Sequence, residues 1–531
     1  MVVLINLPWL LAVTIAAIAL YTAKHSKSRN LPDGPAGLPL IGVLPDKKLQ
    51  LHQQLLRYVS VYGDFFSFNM GRSKVIVLSS PAAIEDLIVK KGHNFSSRPS
   101  ASLQARIVAQ DRLVQMEYGD SFRKHRKMAH TLLGVQNLKS FMPYQDYEST
   151  QTLKYLANNP SGFYEESQRY ATSVTLSLLV GARLADPNSL IPHECDRTTR
   201  RLFANMRPGA WFTDWLPFLD VLPNALAPWR VKAQKVYEGI IEFWSVFYDP
   251  MAKRVMEGDA PDCFVKSFLQ SPNVDSFSES ERRVLFSEIL AAGQETTATS
   301  LRFFFKAAVL YPDFIKHAQA ELDQVVGQDR LPDWNDRPNL PYLKAVITEL
   351  HRWASTTPLG FYHATSKDDT YRGSSIPANT TVIYSTYAVH HSEQYFAQHE
   401  KFIPERYLPE SDARRMVNGA FAPVHYAFGS GRRECPAKYV ADASLYIAIS
   451  RLLWAFNIEL GPNTPPGDAI VGGVPILGPA KFNCNVIARS EHTKEVIEAA
   501  SREKGSNSHL EDASLLYEKD LVRVGKRIRS E

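Results

Sequence analysis

At 531 residues the chain is longer than one hydrophobic core usually serves, so it holds two or three domains or one large mixed body. Its 45% hydrophobic and 22% charged residues are those of a globular protein and exclude a disordered one. A net charge of +5 is too small at this length to indicate a nucleic acid partner, and Cys195, Cys263, Cys435 and Cys484, with no C-x-x-C pair, argue against structural zinc and against a disulfide scaffold.

Met1 to Ala23 carries no charged side chain, and Val2 to Leu20 is interrupted only by Asn6, Pro8 and Thr14. Roughly 20 such residues in a helix span the ~30 Å hydrocarbon layer. Lys24, His25, Lys27 and Arg29 follow, with no acid before Asp33. Positive charge after the span leaves the rest of the chain in the cytosol. Residues 1–23 therefore read as a transmembrane signal anchor. A cleaved signal peptide would carry its charge before the apolar run, although Ala17-Ile18-Ala19 does offer a cleavage site. On this topology the sequons at Asn94 and Asn379 go unused. Residues 24–45 form a basic flank and a stiff hinge, because Leu31 to Pro39 holds Pro32, Gly34, Pro35, Gly37 and Pro39.

Beyond the hinge there is no internal repeat. Helical patterns run over Pro81 to Lys91, Asp120 to Leu133, Ser280 to Leu310, Pro312 to Val326, Pro341 to Trp353 and Tyr439 to Leu453. Strand patterns are fewer: Phe65 to Met70, Val75 to Leu78 and Thr380 to Ser385. The expected fold class is mostly α, an α+β body over residues 46–490 with a small sheet. Residues 491–531 turn polar and read as a peripheral tail.

Four stretches carry chemistry or a specific surface, in chain order. Trp211 to Phe218 is an aromatic, proline-broken loop, fit either for a membrane interface or for the roof of a core. In Ala292-Gly293-Gln294-Glu295-Thr296-Thr297, a glycine and threonines interrupt a long helical pattern. Gly costs about 1 kcal/mol against Ala in mid-helix, and a local rule broken there hints at function. Ile289, Ala292, Gly293 and Thr296 share one helical face. A threonine hydroxyl there bonds back to the preceding turn and loosens the ladder. Glu349 and Arg352, at i and i+3, read by themselves as a solvated surface pair. Finally, Phe428 to Pro436 puts two glycines and an aromatic ahead of Cys435, with an apolar helical run behind. A thiol near a helix N-terminus and beside arginines is expected to favour thiolate, a soft ligand for iron.

This last stretch closely resembles the haem-binding signature of the cytochrome P-450 family: Phe, two residues, Gly, one, Arg, one, Cys, one, Gly. Phe428, Gly431, Arg433 and Cys435 match, and Ala437 stands where the final glycine usually sits. The resemblance implies a haem b (iron protoporphyrin IX) whose iron takes Cys435 as its axial thiolate. Residues 292–297 meet the family's oxygen-activation motif in full, which implies that Thr296 hydrogen-bonds the oxygen under activation and Glu295 relays protons. Phe402 to Tyr407 is similar to the segment that completes a Glu-Arg-Arg cluster, here Glu349, Arg352 and Arg406, with a scaffold role. Phe122 to Arg126 lies where the family shows Trp-x-x-x-Arg: Arg126 matches as a propionate partner, while Phe122 lacks the indole donor. Arg433 and His363 are the further propionate candidates. Arg123, Lys124, Lys127, Arg432 and Lys438 would form the basic face that the family offers to a reductase.

The resemblance covers roughly residues 31 to 490 and implies the cytochrome P-450 fold with a monooxygenase activity. Electrons would come from NADPH through NADPH-cytochrome P-450 reductase, with or without cytochrome b5, at the endoplasmic reticulum membrane, with O2 and a small hydrophobic molecule as substrates. A reductase-independent isomerase ranks below, because such members often lose the acid–threonine pair; a haem sensor or carrier would need neither the pair nor a reductase face. Expected pocket walls are Ser102 to Val108, Ile289, Ala292, Thr357 to Phe361, Ile476 and Leu477, which suit an apolar or amphiphilic ligand. Gly429 to Asp442 and Ala291 to Ser300 look similar to fungal members that tailor secondary metabolites. Fatty-acid, sterol or xenobiotic oxidation is the alternative.

Overall fold

A computed structural model describes residues 30–38, 41–44, 46, 49–71, 73–99, 102–186, 188–206, 210–214, 217–408, 416–417, 420–421, 425–462, 470–473, 476–506 and 510–530. The expected anchor, the basic flank and part of the hinge lie outside the described residues. Among the described residues, no helix is long and apolar enough to cross a membrane.

The chain divides into two units. One draws on Met1–Ser100 and Leu359–Val389. It is built on a four-stranded sheet in the order β1 (Phe65–Met70), β2 (Ser73–Leu78), β4 (Thr381–Tyr384), β3 (His363–Ala364). β1 and β2 pair antiparallel from Phe65 opposite Leu78, β2 and β4 pair parallel, and β3 returns antiparallel on β4. The inner strands are buried on both faces, which is why Val75 to Leu78 and Val382 to Ile383 read as continuous apolar runs. Leu55 of α1 (Leu51–Tyr62) packs with Phe66, Val75 and Ile383 below them. Pro81 to Lys91 is not one α-helix: a turn capped by Ser80 over Pro81–Ile84 continues as π-helix over Glu85–Lys90.

The other unit comprises Ala101–Pro358 and His390–Glu531 and is helical. In order it contains α2 (Asp120–Leu133), α3 (Leu138–Asn158), α4 (Phe163–Val180), α5 (Ile191–Met206), α6 (Pro228–Glu257), α7 (Glu279–Leu310), α8 (Asp313–Val325), α9 (Pro341–Trp353) and α10 (Lys438–Ala455). Two further helices follow, α11 (Glu491–Ser506) and α12 (Ala513–Ser530). The start of α7 is fixed by a capping box: the Ser278 hydroxyl accepts from the Glu281 amide at 3.1 Å, and the Glu281 carboxylate accepts from the Ser278 amide at 2.7 Å. α7 runs unbroken for 32 residues between two cores. Its C-terminal half, Leu301 to Ala308, packs with α8, α9 and α10; its N-terminal half, Leu285 to Ala291, packs with α5 and α6. The small strands β5 (Phe456–Leu460), β6 (Ile476–Pro479) and β7 (Cys484–Ala488) lie near the C-terminal end, with β5 paired to β7. The aromatic loop is half core: Trp211 is buried and its indole donates to the Asn205 carbonyl at 2.9 Å, whereas Phe212 is exposed. Trp215 and Leu216 lie outside the described residues.

The expectation of a peripheral tail over 491–531 is corrected. Ile497 of α11 joins the main core, and α12 buries Ala513, Tyr517, Leu521, Val524 and Ile528 in the cluster that holds α5 and α6. These five recur at i, i+4, i+8, i+11 and i+15, a single helical stripe that a polar average conceals. Before α12, Glu511 and Asp512 pair in parallel with Ala182 and Arg183. Removing most of a fully buried leucine costs about 2–5 kcal/mol. Leu521→Ala, at a site with no exposed surface, should therefore lower the denaturation midpoint clearly. Leu515→Ala, 87% exposed on the same helix, should shift stability by less than about 0.5 kcal/mol. Equal effects from the two would return 513–530 to the status of a tail.

Candidate functional site

The site is assembled from the bottom by a buried carboxylate. Glu349 on α9 has no exposed surface, and Arg352, one turn on, donates to both its oxygens at 2.7 Å. Arg406 donates to the same carboxylate at 3.2 Å, and the Ile403 amide at 2.8 Å. Arg352 has three donors left for the carbonyls of His390, His399 and Lys401, at 2.7 to 2.9 Å. The three residues singled out as a scaffold thus form one fully buried network, and the surface-pair reading does not apply.

A histidine links this network to the cysteine loop. His390 donates through Nδ1 to the Ser355 hydroxyl at 3.0 Å and accepts from the Tyr426 amide at 2.8 Å. His351 on α9 lies with its ring 4.9 Å from both His425 and Phe428. Burial holds His351 at about 4 and His425 at about 3, and pushes His390 down as well. The loop then turns through Gly429 and Gly431, at φ of +76° and +66°, where a side chain would be strained. The Cys435 amide returns to the Phe428 carbonyl at 2.8 Å and closes the turn just ahead of α10.

The Cys435 thiol is pushed up by burial, and the Ala437 amide and the Arg126 cation only partly oppose this. The Ala437 amide at the helix start and the Arg126 cation favour thiolate as expected, against that burial, and a bound metal would hold the sulfur deprotonated. Arg126 on α2 is half-buried beside Cys435 and makes no hydrogen bond or ion pair among the described residues. Arg433 is engaged, donating to the Leu113 carbonyl at 2.9 Å and to that of Met116. Phe122 lies under it, 3.7 Å from the guanidinium carbon, so the ring that replaces tryptophan supports an arginine by cation–π contact. His363 belongs to the other unit, where its Nδ1 donates to the Phe95 carbonyl at 2.6 Å.

Along α7, Ala291 and Ala298 are buried while Ala292 is exposed and Gly293, Thr296 and Thr297 are half-exposed. These partly exposed positions lie in the middle of a helix that is buried on either side of them. Gly293 also faces α4: an added Cβ would meet the Thr175 hydroxyl at 3.0 Å. The Thr296 hydroxyl donates to the Ala292 carbonyl at 2.8 Å, as its position suggests, yet the helical ladder is not opened there. Glu295 is turned to the side, with Oε2 buried and unpartnered. Burial first, and the nearby Asp196 second, push its carboxyl up to about 7. Of the expected pocket walls in this unit, Ala105 and Val108 are buried, Ile289 is half-buried, and the Leu477 amide bonds the Thr356 carbonyl at 2.9 Å.

The expected basic face is of mixed sign. Arg123 pairs with Asp120, Lys124 with Glu281 and Lys438 with Glu434, and Arg432 bonds the Tyr118 hydroxyl. Three of these partners are acids one turn or one helix away, which counting cations along the sequence does not reveal.

Residues 32–480 match the family model of cytochrome P-450. The chain is 32% identical to the cytochrome P-450 monooxygenase verL of Clonostachys rogersoniana, over 91% of this chain and 92% of that one. It is 34% identical to polD of Polytolypa hystricis, over 92% and 96%. The chain belongs to the cytochrome P-450 family. By membership it is an oxidoreductase, and a haem iron, a redox partner and a small substrate with O2 are what the family uses. The residues present fit haem: a soft sulfur, a cation beside it that is unpaired among the described residues and suits a propionate, and a helix whose small residues and threonine are partly exposed.

The neutral histidines under the loop make an acid-sensitive joint. An ordinary histidine titrates near 6.5, so the unfolded chain takes up protons before His351 and His425 do. Their stability is full above about pH 6.5 and is lost as pH falls toward 4 and below, on the order of 2 kcal/mol per histidine between pH 7 and 5. His351→Leu should therefore flatten the fall of the thermal midpoint between pH 7 and 5. A fall as steep as that of the parent would show that His351 does not carry the linkage.

Proposed function

We propose that this protein is a haem-thiolate monooxygenase that inserts one oxygen atom of O2 into an apolar or amphiphilic small molecule. The observation that carries this reading is Arg126, unpaired among the described residues, beside Cys435 in the same unit as the partly exposed Ala292, Gly293 and Thr296. Haem supplies the activation of O2; the chain supplies ligand, orientation and protons. Cys435 holds the iron, and Arg126 and Arg433 hold the propionates, the second after release from the carbonyls it now engages. Thr296 offers a hydroxyl at the cavity wall, and Glu295 stores a proton near neutral pH. An isomerase would use neither group, so their presence supports the monooxygenase.

Electrons come from NADPH through a reductase that docks on the Cys435 side. The recess of about 280 Å³ there, lined by Phe428, Glu434, Lys438 and Tyr439 among others, is of mixed charge, so the partner must exchange existing ion pairs. Such exposed pairs are worth about 0–1 kcal/mol, a small barrier to exchange. Residues 1–23 anchor the chain in the endoplasmic reticulum membrane, and the fungal relatives support a tailoring role in secondary metabolism.

Cys435→Ser should abolish the red-shifted Soret band of the reduced carbon monoxide complex together with turnover. A variant that keeps both would remove Cys435 from the iron. Losing a positioned proton donor costs about 10²–10⁴-fold in rate. Thr296→Ala should accordingly keep haem content while product per NADPH collapses and peroxide rises; unchanged coupling would make Thr296 a packing residue. The full-length chain should stay with microsomes through carbonate extraction. Recovery in the supernatant would refute the anchor.

A further inference from the structure

The two helices packed on the N-terminal half of α7 are held very differently. α6 buries Tyr237, Phe243, Trp244, Phe247, Tyr248 and Met251 in the shared core. The hydrophobic residues that α5 buries there are Ile191, Cys195 and Leu202. An element with few buried apolar contacts opens locally at low cost. What α5 lacks in apolar burial it takes from polar contacts with α12.

α12 runs antiparallel to α6. Glu511, just before α12, pairs with Arg254 at 2.5 Å, the Tyr517 ring lies 5.1 Å from that of Phe247, Arg527 pairs with Glu242, and Ile528 meets Gly239. Along another side α12 engages the start of α5. The Glu518 carboxylate accepts from the Ser189 hydroxyl and from the Leu190 amide at 3.0 Å. Glu194, in the first turn of α5 and almost wholly buried, receives Arg529. Gly525 makes the room for it: an added Cβ would meet the Glu194 carboxylate at 2.5 Å and the Arg529 guanidinium at 3.1 Å. The carboxylate thus sits in a notch on α12, clamped by Arg529 and, at 2.9 Å, by Arg197 of its own helix. Arg197 and Arg529 are 61% and 39% exposed, so water reaches the clamp although it does not reach the acid.

We propose that this notch is a latch on substrate entry, with Glu194 and Arg529 as positioning residues. While Glu194 is seated, α12 holds the first turn of α5 beside α6. When Glu194 leaves, the lightly cored α5 parts from α6 and α7, and a small molecule reaches the partly exposed face of α7. The inference rests on the reading of that face as the substrate wall. Opening breaks ion pairs and hydrogen bonds at one end of α5, while the apolar stripe of α12 stays buried on α6.

Gly525→Ala fills the notch without weakening α12, because alanine is the better helix former. Arg529→Gln removes the clamp, and Arg529→Lys keeps a cation there. In the full-length holoenzyme, the first two should raise hydrogen exchange across α5 by about fivefold and leave α6 unchanged. Phenylimidazole, followed through its Soret shift, should bind and leave faster by a similar factor, at nearly constant affinity. Arg529→Lys should restore much of the parent behaviour. Arg527→Gln, which loses the same charge from the same helix but faces Glu242 on α6, should change neither readout for α5. Exchange across α5 that is unaltered by Gly525→Ala and Arg529→Gln overturns the latch. Faster exchange with unchanged entry and exit of phenylimidazole overturns its role as a gate. A parent that gives no Soret shift instead defeats the haem reading, and the entry role falls with it even if α5 exchange rises.

Discussion

The structure hangs on the burial of one charge. Glu349 has no contact with water, and only its two guanidiniums and one amide make that position tolerable. A buried ion pair is weak evidence of stability, because desolvation consumes most of the attraction, yet removing one partner costs about 3–5 kcal/mol. Its value here is geometric. Arg352, fixed by Glu349, gathers the carbonyls of His390, His399 and Lys401, and His390 in turn receives the Tyr426 amide. The position of the Phe428–Cys435 turn is therefore inherited from a carboxylate that never meets the substrate.

Glu349 and Glu295 are the same residue under opposite treatment. Glu349 is fully buried in the helical unit, whereas Glu295 is half-exposed there with one carboxylate oxygen buried. Glu349 is given donors, so its charge is permanent and structural. Glu295 is denied them, so its proton is retained near neutrality and stays transferable. Chemistry and scaffold are separated by the allocation of arginines, not by residue type.

Much of this was legible in the sequence because the carrying patterns are local. Asp120 to Leu133 and Pro341 to Trp353 were bounded to the residue, since proline, glycine and apolar spacing speak at close range. The glycines at 429 and 431 announced a turn that the backbone then required. What sequence alone left hidden is non-local. The acids that neutralise Lys124 and Lys438, the partial burial that raises the Cys435 thiol, and the face that receives α12 are properties of packing. In α12 the signal was present as a stripe from Ala513 to Ile528, but basic residues between the stripe positions masked it.

That masked helix changes how the upper part of the unit is held. α12 buries its stripe against α6, where Ile528 lies 2.9 Å from the point at which Gly239 would carry a Cβ, and ties α5 through Arg529 to Glu194. Arg527 reaches Glu242 on α6, and the Glu518 carboxylate accepts from the Leu190 amide just before α5 at 3.0 Å. One helix thus grips both partners of the N-terminal half of α7. Apolar burial supplies the strength, at roughly 25 cal/mol per Å² removed from water, and the ion pairs fix the register. Because Glu194 and Asp196 lie two residues apart on α5, the grip that orders one also orders the other. The helix α12 therefore helps order the segment of α5 that carries Asp196, through a stretch that lies beyond the residues matched by the family model.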